Sequence, residues 1–324
     1  MREETLSAPA PGHMLVETFL SAISPGTELL IYRGEFPDRM AVDASLPALA
    51  GDFHYPLCYG YAAVGRVAQL GDGLAQDWLG RMVFSFQPHT SAFLAAPEEL
   101  FPLPEGCSAE AAAFLPNAET AVSLVQDGAP LLGERALVCG QGIIGLLTAS
   151  LLAEFPLETL VTCDRHARRR AASSAQGVTA SLDPQAADFQ QQARAFLGSG
   201  ADLTYECSGV PDALDQAIGL TAFSGRVVIG SWYGTKRASL DLGGSFHRSR
   251  IRLVSSQVSS VAPELSGRWD KSRRFDVAWN ALQRIRPEKW ITHRFPLEAA
   301  ADAYRLLDEA PSEAIQVIFQ YHAL

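Results

Sequence analysis

Residues 136–145 read Ala-Leu-Val-Cys-Gly-Gln-Gly-Ile-Ile-Gly. Ala136–Cys139 is small and apolar, as a short buried strand requires. Gly140, Gly142 and Gly145 then supply G-x-G-x-x-G spacing, and the apolar run Leu146–Leu152 continues as helix until it nears Pro156. A second apolar run, Thr159–Cys163, ends on Asp164, nineteen residues past Gly145. The first glycine permits a tight turn, the second lets the backbone approach a pyrophosphate, and the third lets helix and strand pack closely. The helix N-terminus offers free N–H groups and a partial positive charge to the phosphates. An acid at the end of the second strand takes the ribose hydroxyls and repels a 2′-phosphate. These parts in this order predict a dinucleotide site that favours NAD over NADP. Gly140, Gln141, Gly142, Ile143, Ile144 and Gly145 form its cradle and Asp164 its ribose end. Arg165 is the residue that would favour NADP, because a guanidinium can take a 2′-phosphate.

Working outward, strand and helix runs alternate across the middle of the chain. Helices are expected at 167–176, 186–197 and 212–221, and strands at 179–182, 201–207, 226–229 and 252–255. Such alternation means a doubly wound parallel sheet with helices on both faces. The turns after its strands place Cys207, Ser208, Gly230, Ser231 and Trp232 toward the cofactor. Residues 1–117 differ. Short strand-like runs at 14–20, 60–70, 81–86 and 91–95 are punctuated by Pro and Gly, which suits a small antiparallel barrel. The stretch from Gly34 to Tyr55 has no period and reads as a long loop. Ser108 is placed as an N-cap before Ala111–Ala113. Helices at 275–284 and 297–307 and a strand at 315–320 close the chain.

Composition narrows the function. The chain has 324 residues, enough for two domains, with 48% hydrophobic and 19% charged content. A net charge of −10 excludes a general nucleic-acid binder. No run approaches the roughly 18 apolar residues of a membrane helix. The start, Met-Arg-Glu-Glu, carries no apolar leader, and the five cysteines have no paired spacing. A cytoplasmic protein with reduced thiols is the expectation.

The order of parts resembles the medium-chain dehydrogenase/reductase family over nearly the whole chain. The resemblance rests on Ile23-Ser-Pro-Gly-Thr-Glu28, Tyr32-Arg-Gly34, Gly60-Tyr-Ala-Ala-Val-Gly65, Thr120, Glu206-Cys-Ser-Gly209 and Ile291-Thr-His-Arg-Phe-Pro-Leu297. It implies a GroES-like catalytic domain from residues 1–117 and 260–324, a Rossmann domain at 118–259, a small-molecule substrate, Thr120 near the cofactor, and a homodimer. It also implies three zinc ligands that this chain lacks. Ser24 or Pro25 stands where the family has its first cysteine, Tyr61 where it has histidine, and Pro116 near the third ligand. The four-cysteine lobe has no counterpart. The expectation is therefore no zinc, and a likeness to the zinc-free branch that contains the bacteriochlorophyllide hydroxyethyl dehydrogenases.

With no metal, the substrate oxygen needs other partners. Tyr61 and Thr27 are the candidate hydrogen-bond donors, and His89 and His247 the candidate proton carriers, with His54 behind them. His247 is expected near the nicotinamide. Glu119 reads as a first-turn helix acid, and Arg268, Lys271, Arg273 and Arg274 as a solvated basic helix or a surface for an acidic substrate. The leading expectation is a zinc-independent NAD(P)-dependent oxidoreductase acting on a hydroxyl or carbonyl carbon. The alternatives are a quinone or enone reductase and a non-catalytic nucleotide-binding sensor or scaffold.

Overall fold

A computed structural model describes residues 2–37 and 54–321. Most of the loop expected from Gly34 to Tyr55 lies outside the described residues. The chain divides into two compact units, one of Met1–Pro116 with Leu282–Leu324 and the other of Asn117–Ala281. Residues 260–281 thus fall in the second unit.

The first unit opens with β1 (Met14–Ala22), whose alternating apolar residues Met14, Val16 and Leu20 are fully buried. Next comes α1 (Pro25–Tyr32). Pro25 and Gly26 read as turn punctuation, but proline at the first helical position has the right φ and lacks only an N–H that no helix would use. β2 (Ala63–Leu70), β3 (Met82–Ser85), β4 (Ala92–Ala95) and β5 (Phe101–Pro102) follow, then α2 (Ala109–Ala112). Ser108 caps α2, its hydroxyl accepting from the Ala111 N–H at 3.0 Å. β2 and β4 both pair antiparallel with β1, and β3 with β2. Met14, Val16, Ala63, Val67, Val83 and Phe93 fill the core between them.

The second unit begins inside α3 (Leu115–Gly128), then β6 (Arg135–Cys139), α4 (Ile143–Leu152), β7 (Thr159–Cys163), α5 (Ala167–Ser174) and β8 (Ala180–Leu182). It continues with α6 (Phe189–Leu197), β9 (Ala201–Glu206), α7 (Pro211–Leu220), β10 (Thr221–Ile229) and β11 (Arg252–Ser255). The six strands pair in parallel in the order β11-β10-β9-β6-β7-β8. The order reverses between β6 and β9, and ligands of such sheets bind at the carboxyl ends of the strands there.

The unit boundary falls inside α8 (Lys271–Ile285). The chain ends with β12 (Ile291–Pro296), α9 (Ala300–Glu309) and β13 (Gln316–Gln320). β13 pairs antiparallel with Leu20–Ala22 of β1 and parallel with β12. The last strand is therefore built into the first unit's sheet. β12 is an edge strand of mixed residues ending in proline, with no alternation to mark it.

Candidate functional site

The dinucleotide cradle lies at the carboxyl ends of β6, β7 and β9. Gly140 has φ +88°, and a β-carbon there would sit 2.6–2.8 Å from the backbone of Ser208 and Cys207. A β-carbon on Gly145 would sit 1.8 Å from the Gly140 carbonyl oxygen. Both positions admit only glycine. Gly142 differs: nothing lies within 4 Å of its absent β-carbon, so the space in front of the α4 N-terminus is open. An open glycine framed by two closed ones is the shape a pyrophosphate needs.

Asp164 is buried. Its carboxylate accepts the Gln141 N–H at 2.7 Å and the His166 N–H at 2.8 Å. It thereby ties the end of β7 to the cradle, a role beyond the ribose contact read from its spacing. The Gln141 side chain turns inward, donating to Gly140 O at 2.9 Å and Val138 O at 3.3 Å. It holds the turn through Nε2 from a fully buried position. Ile143 is buried and Ile144 half-buried at the start of α4. Arg165 is exposed and donates to His166 Nε2 at 3.1 Å.

Glu206, buried at the end of β9, organises the other half of the edge. It accepts from the Ser208 N–H at 2.8 Å, from the Ser208 hydroxyl, and from Tyr233 at 2.5 Å. Ser231 Oγ accepts the Gly209 N–H at 2.8 Å, and Gly230 N–H donates to Glu206 O at 2.9 Å. Cys207, Ser208, Gly230, Ser231 and Trp232 are all partly exposed on these turns. Burial, then the Glu206 charge, pushes the Tyr233 phenol far up, and burial does the same to the Cys207 thiol. Both stay protonated. The sequence marks Glu206 as part of the Glu206-Cys-Ser-Gly209 motif and Tyr233 as part of the turn after β10, the fifth strand of the sheet; their hydrogen bond to each other carries no spacing signal.

Thr120 is half-buried one turn before Leu124 on α3. Leu124 packs on Gly230, while the other end of α3 is held by Arg226, which donates to Gly128 O at 2.5 Å. The helix therefore runs against β10 with Thr120 toward the carboxyl edge. His247 is at the opposite edge. It is exposed and precedes β11, beside Ser249, whose carbonyl accepts the Ser224 N–H near the start of β10 at 2.7 Å. The expected place for His247 near the nicotinamide is wrong, because a residue preceding a parallel strand lies at the amino edge. Two further readings change. Arg274 and Glu119 are buried and paired at 2.7 Å, so neither is a solvated surface group. Arg273 instead stacks over Trp269 at 4.1 Å.

The first unit holds a second constellation. Glu28, 2% exposed on α1, accepts the Ser24 N–H at 2.7 Å, the Tyr304 hydroxyl, and His89 Nε2 at 3.0 Å. His89 Nδ1 meets Ser21 Oγ at 2.7 Å, and Ser21 meets the Tyr321 hydroxyl at 2.9 Å. The His89 ring packs edge-on against Phe319 at 4.9 Å and flush against Gly60, whose β-carbon would lie 2.8 Å from it. Tyr61, next in sequence, is half-buried with its ring 6.0 Å from that of Tyr59, and Thr27 is half-buried beside Glu28. The structure thus brings Thr27, Tyr61 and His89 into one neighbourhood, and leaves His54 exposed. Both His89 nitrogens are engaged internally. Ser21, Tyr304 and Tyr321 come from distant stretches that the pairing of β13 with β1 and the stacking of Tyr304 on Tyr32 of α1 bring together.

A family model described as zinc-binding dehydrogenase matches residues 144–273. The 2-desacetyl-2-hydroxyethyl bacteriochlorophyllide A dehydrogenase of Cereibacter sphaeroides is 26% identical over 98% of this chain and 93% of its own. Over nearly its whole length the chain is similar to the medium-chain dehydrogenases. An Escherichia coli CFT073 alcohol dehydrogenase complexed with NADH shares the fold, with TM-score 0.76, 18% identity and 98% and 94% of the two chains covered. So does a Sinorhizobium meliloti 1021 dehydrogenase bound to NADP, with TM-score 0.77, 20% identity and 98% and 95% covered. The curated relatives are named as dehydrogenases, and the chain is an oxidoreductase of that kind. The residues at the family's zinc positions do not suit a metal. Pro25 and Pro116 have no side-chain donor, and neutral serine and tyrosine are poor zinc ligands. Among the described residues, no group of three His, Cys, Asp or Glu side chains could hold an ion.

Proposed function

We propose that this chain is a zinc-independent dehydrogenase that prefers NAD and moves a hydride between the nicotinamide and a carbon bearing a hydroxyl or carbonyl. A secondary alcohol, such as the hydroxyethyl group in the name of the Cereibacter relative, is the substrate class. The open cradle at Gly142, closed on either side by Gly140 and Gly145, carries the reading. The bound nicotinamide supplies the hydride chemistry. The chain's own residues do the rest. The α4 N-terminus receives the pyrophosphate, and Asp164 receives the ribose hydroxyls while holding Gln141 in place. Glu206 fixes the turns that carry Ser208, Ser231 and Tyr233. Tyr61 and Thr27 donate to the substrate oxygen, the task that zinc performs in metal-dependent members.

Titration with NAD and NADP, then turnover with secondary alcohols in the presence of a chelator, tests this. NAD should bind at least several-fold tighter than NADP, and Asp164→Ser should weaken NAD and erase the difference. Activity should survive the chelator, and Tyr61→Phe should lower turnover by about 10²–10³, the usual cost of one such donor. Preference for NADP moves the ribose assignment to Arg165. About one zinc per chain, with activity lost to the chelator, ends the metal-free reading.

A further inference from the structure

We propose that Tyr321, Ser21, His89 and Glu28 form a proton relay inside the first unit. The inference rests on the dehydrogenase reading, because each turnover releases or consumes one proton. The relay takes one direction. Glu28 accepts from Ser24 N–H and from the Tyr304 hydroxyl, and in the relay it is the carboxylate that also accepts from His89 Nε2–H. A neutral imidazole with Nε2 protonated has a bare Nδ1, which accepts from Ser21 at 2.7 Å. Ser21 Oγ is then free to accept from Tyr321 at 2.9 Å. Every hydrogen in the chain Tyr321 → Ser21 → His89 → Glu28 points the same way.

Such a chain can pass one proton and reverse. A proton entering at the Tyr321 oxygen releases the tyrosine proton to Ser21, and Ser21 releases its own to Nδ1. Nε2–H then moves to the Glu28 carboxylate. Glu28 ends as a neutral acid and His89 as the Nδ1–H tautomer; no other group changes charge. Burial keeps the phenol of Tyr321 well above its ordinary range, so it remains an O–H, and burial with Glu28 does the same for Tyr304. Cys58 and Glu298 are the other ionisable groups acting on these tyrosines. Ser21 is fully buried and the His89 side chain 8% exposed, while Tyr321 is partly open. Tyr321 is thus the open end of the wire and Glu28, 2% exposed, its buried end. Glu28 follows Thr27 in the chain, and the imidazole backs onto Gly60, which precedes Tyr61; Thr27 and Tyr61 are the two residues assigned to the substrate oxygen.

Protein labelled with ¹⁵N-histidine tests this without substrate or cofactor. His89 should show the Nε2–H tautomer, and its Nε2–H should exchange with deuterated water through the wire. Tyr321→Phe and Ser21→Ala should each slow that exchange at least tenfold, and Tyr304→Phe, off the wire, should not slow it. A cluster serving only as a structural tie gives the opposite sign, since removing a hydroxyl loosens packing and speeds exchange. Unchanged or faster exchange in both wire variants, or an Nδ1–H tautomer in the wild type, overturns the relay. That failure is separable from failure of the dehydrogenase reading, which NAD binding and turnover decide.

Discussion

At the residue scale, the three cradle glycines are equivalent in sequence and unequal in space. A β-carbon at Gly145 meets the Gly140 carbonyl oxygen at 1.8 Å, a backbone atom that cannot swing away. Gly145→Ala should cost about 1–3 kcal/mol of stability, the range of overpacked sites, and lose NAD with it. Gly142→Val meets nothing, at a φ of −68° that valine tolerates. It should cost less than about 1 kcal/mol as an unfavourable cap while weakening NAD at least tenfold, about 1.4 kcal/mol. Denaturation and calorimetry on the two variants separate stability from binding; unchanged NAD affinity in Gly142→Val would misplace the phosphate site. The spacing of these glycines and of Asp164 was legible because local chain geometry sets it. The inward turn of Gln141 and the wrong edge for His247 were not. The first depends on packing under α4, the second on the polarity of a strand relative to its neighbours.

At the element scale, Glu119 on α3 and Arg274 on α8 join two helices of the second unit through a buried pair at 2.7 Å. Arg274 also donates to Ser260 O at 2.9 Å and to Val258 O. Burial pushes the Glu119 carboxyl above its ordinary 4.5, and Arg274 opposes that rise. Arg274→Met should therefore cost about 3–5 kcal/mol, because an uncompensated buried carboxylate remains. Glu119→Leu with Arg274→Met should recover much of the loss, since an apolar pair removes the charge it strands. The pH dependence has a definite sign. A carboxyl whose folded pKa is raised favours the folded state below its unfolded value, and that contribution is lost as pH rises through the folded value. The Arg274→Met deficit should thus be largest near neutrality, shrink as pH falls through the raised folded value, and reach its minimum near the ordinary 4.5. A deficit independent of pH would assign the cost to lost packing. From sequence, Glu119 read as a helix-start acid and Arg274 as one of several surface cations. Only the α3–α8 contact shows that they are partners. The same limit hid α1 behind Pro25-Gly26 and β12 behind its mixed residues.

At the scale of the whole molecule, the alternation of strands and helices predicted the six-stranded sheet, because each β-α repeat closes locally. The sheet of the first unit was less legible, since β1 and β13 pair across almost the full length of the chain. The two units consequently differ in what they need. The second is continuous and has its own core of Leu137, Val161, Leu197, Ala217, Ile218 and Val227. Its ties are internal, including Arg226 to Glu134 at 2.7 Å and Arg274 to Glu119. Residues 117–281 expressed alone should unfold in one cooperative transition and bind NAD, because cradle, ribose acid and Glu206 turns all lie within them. The first unit is discontinuous. A chain ending at residue 290 would strip β12 and β13 from β1, remove Tyr304 and Tyr321 from Glu28 and Ser21, and leave the Ile23 carbonyl without Gln316, which donates to it at 2.7 Å. That chain should keep NAD binding and lose its N-terminal fold, seen as a lost thermal transition and rapid proteolysis before residue 117. An isolated 117–281 segment that aggregates or fails to bind NAD would mean that the cradle is held by groups outside the second unit.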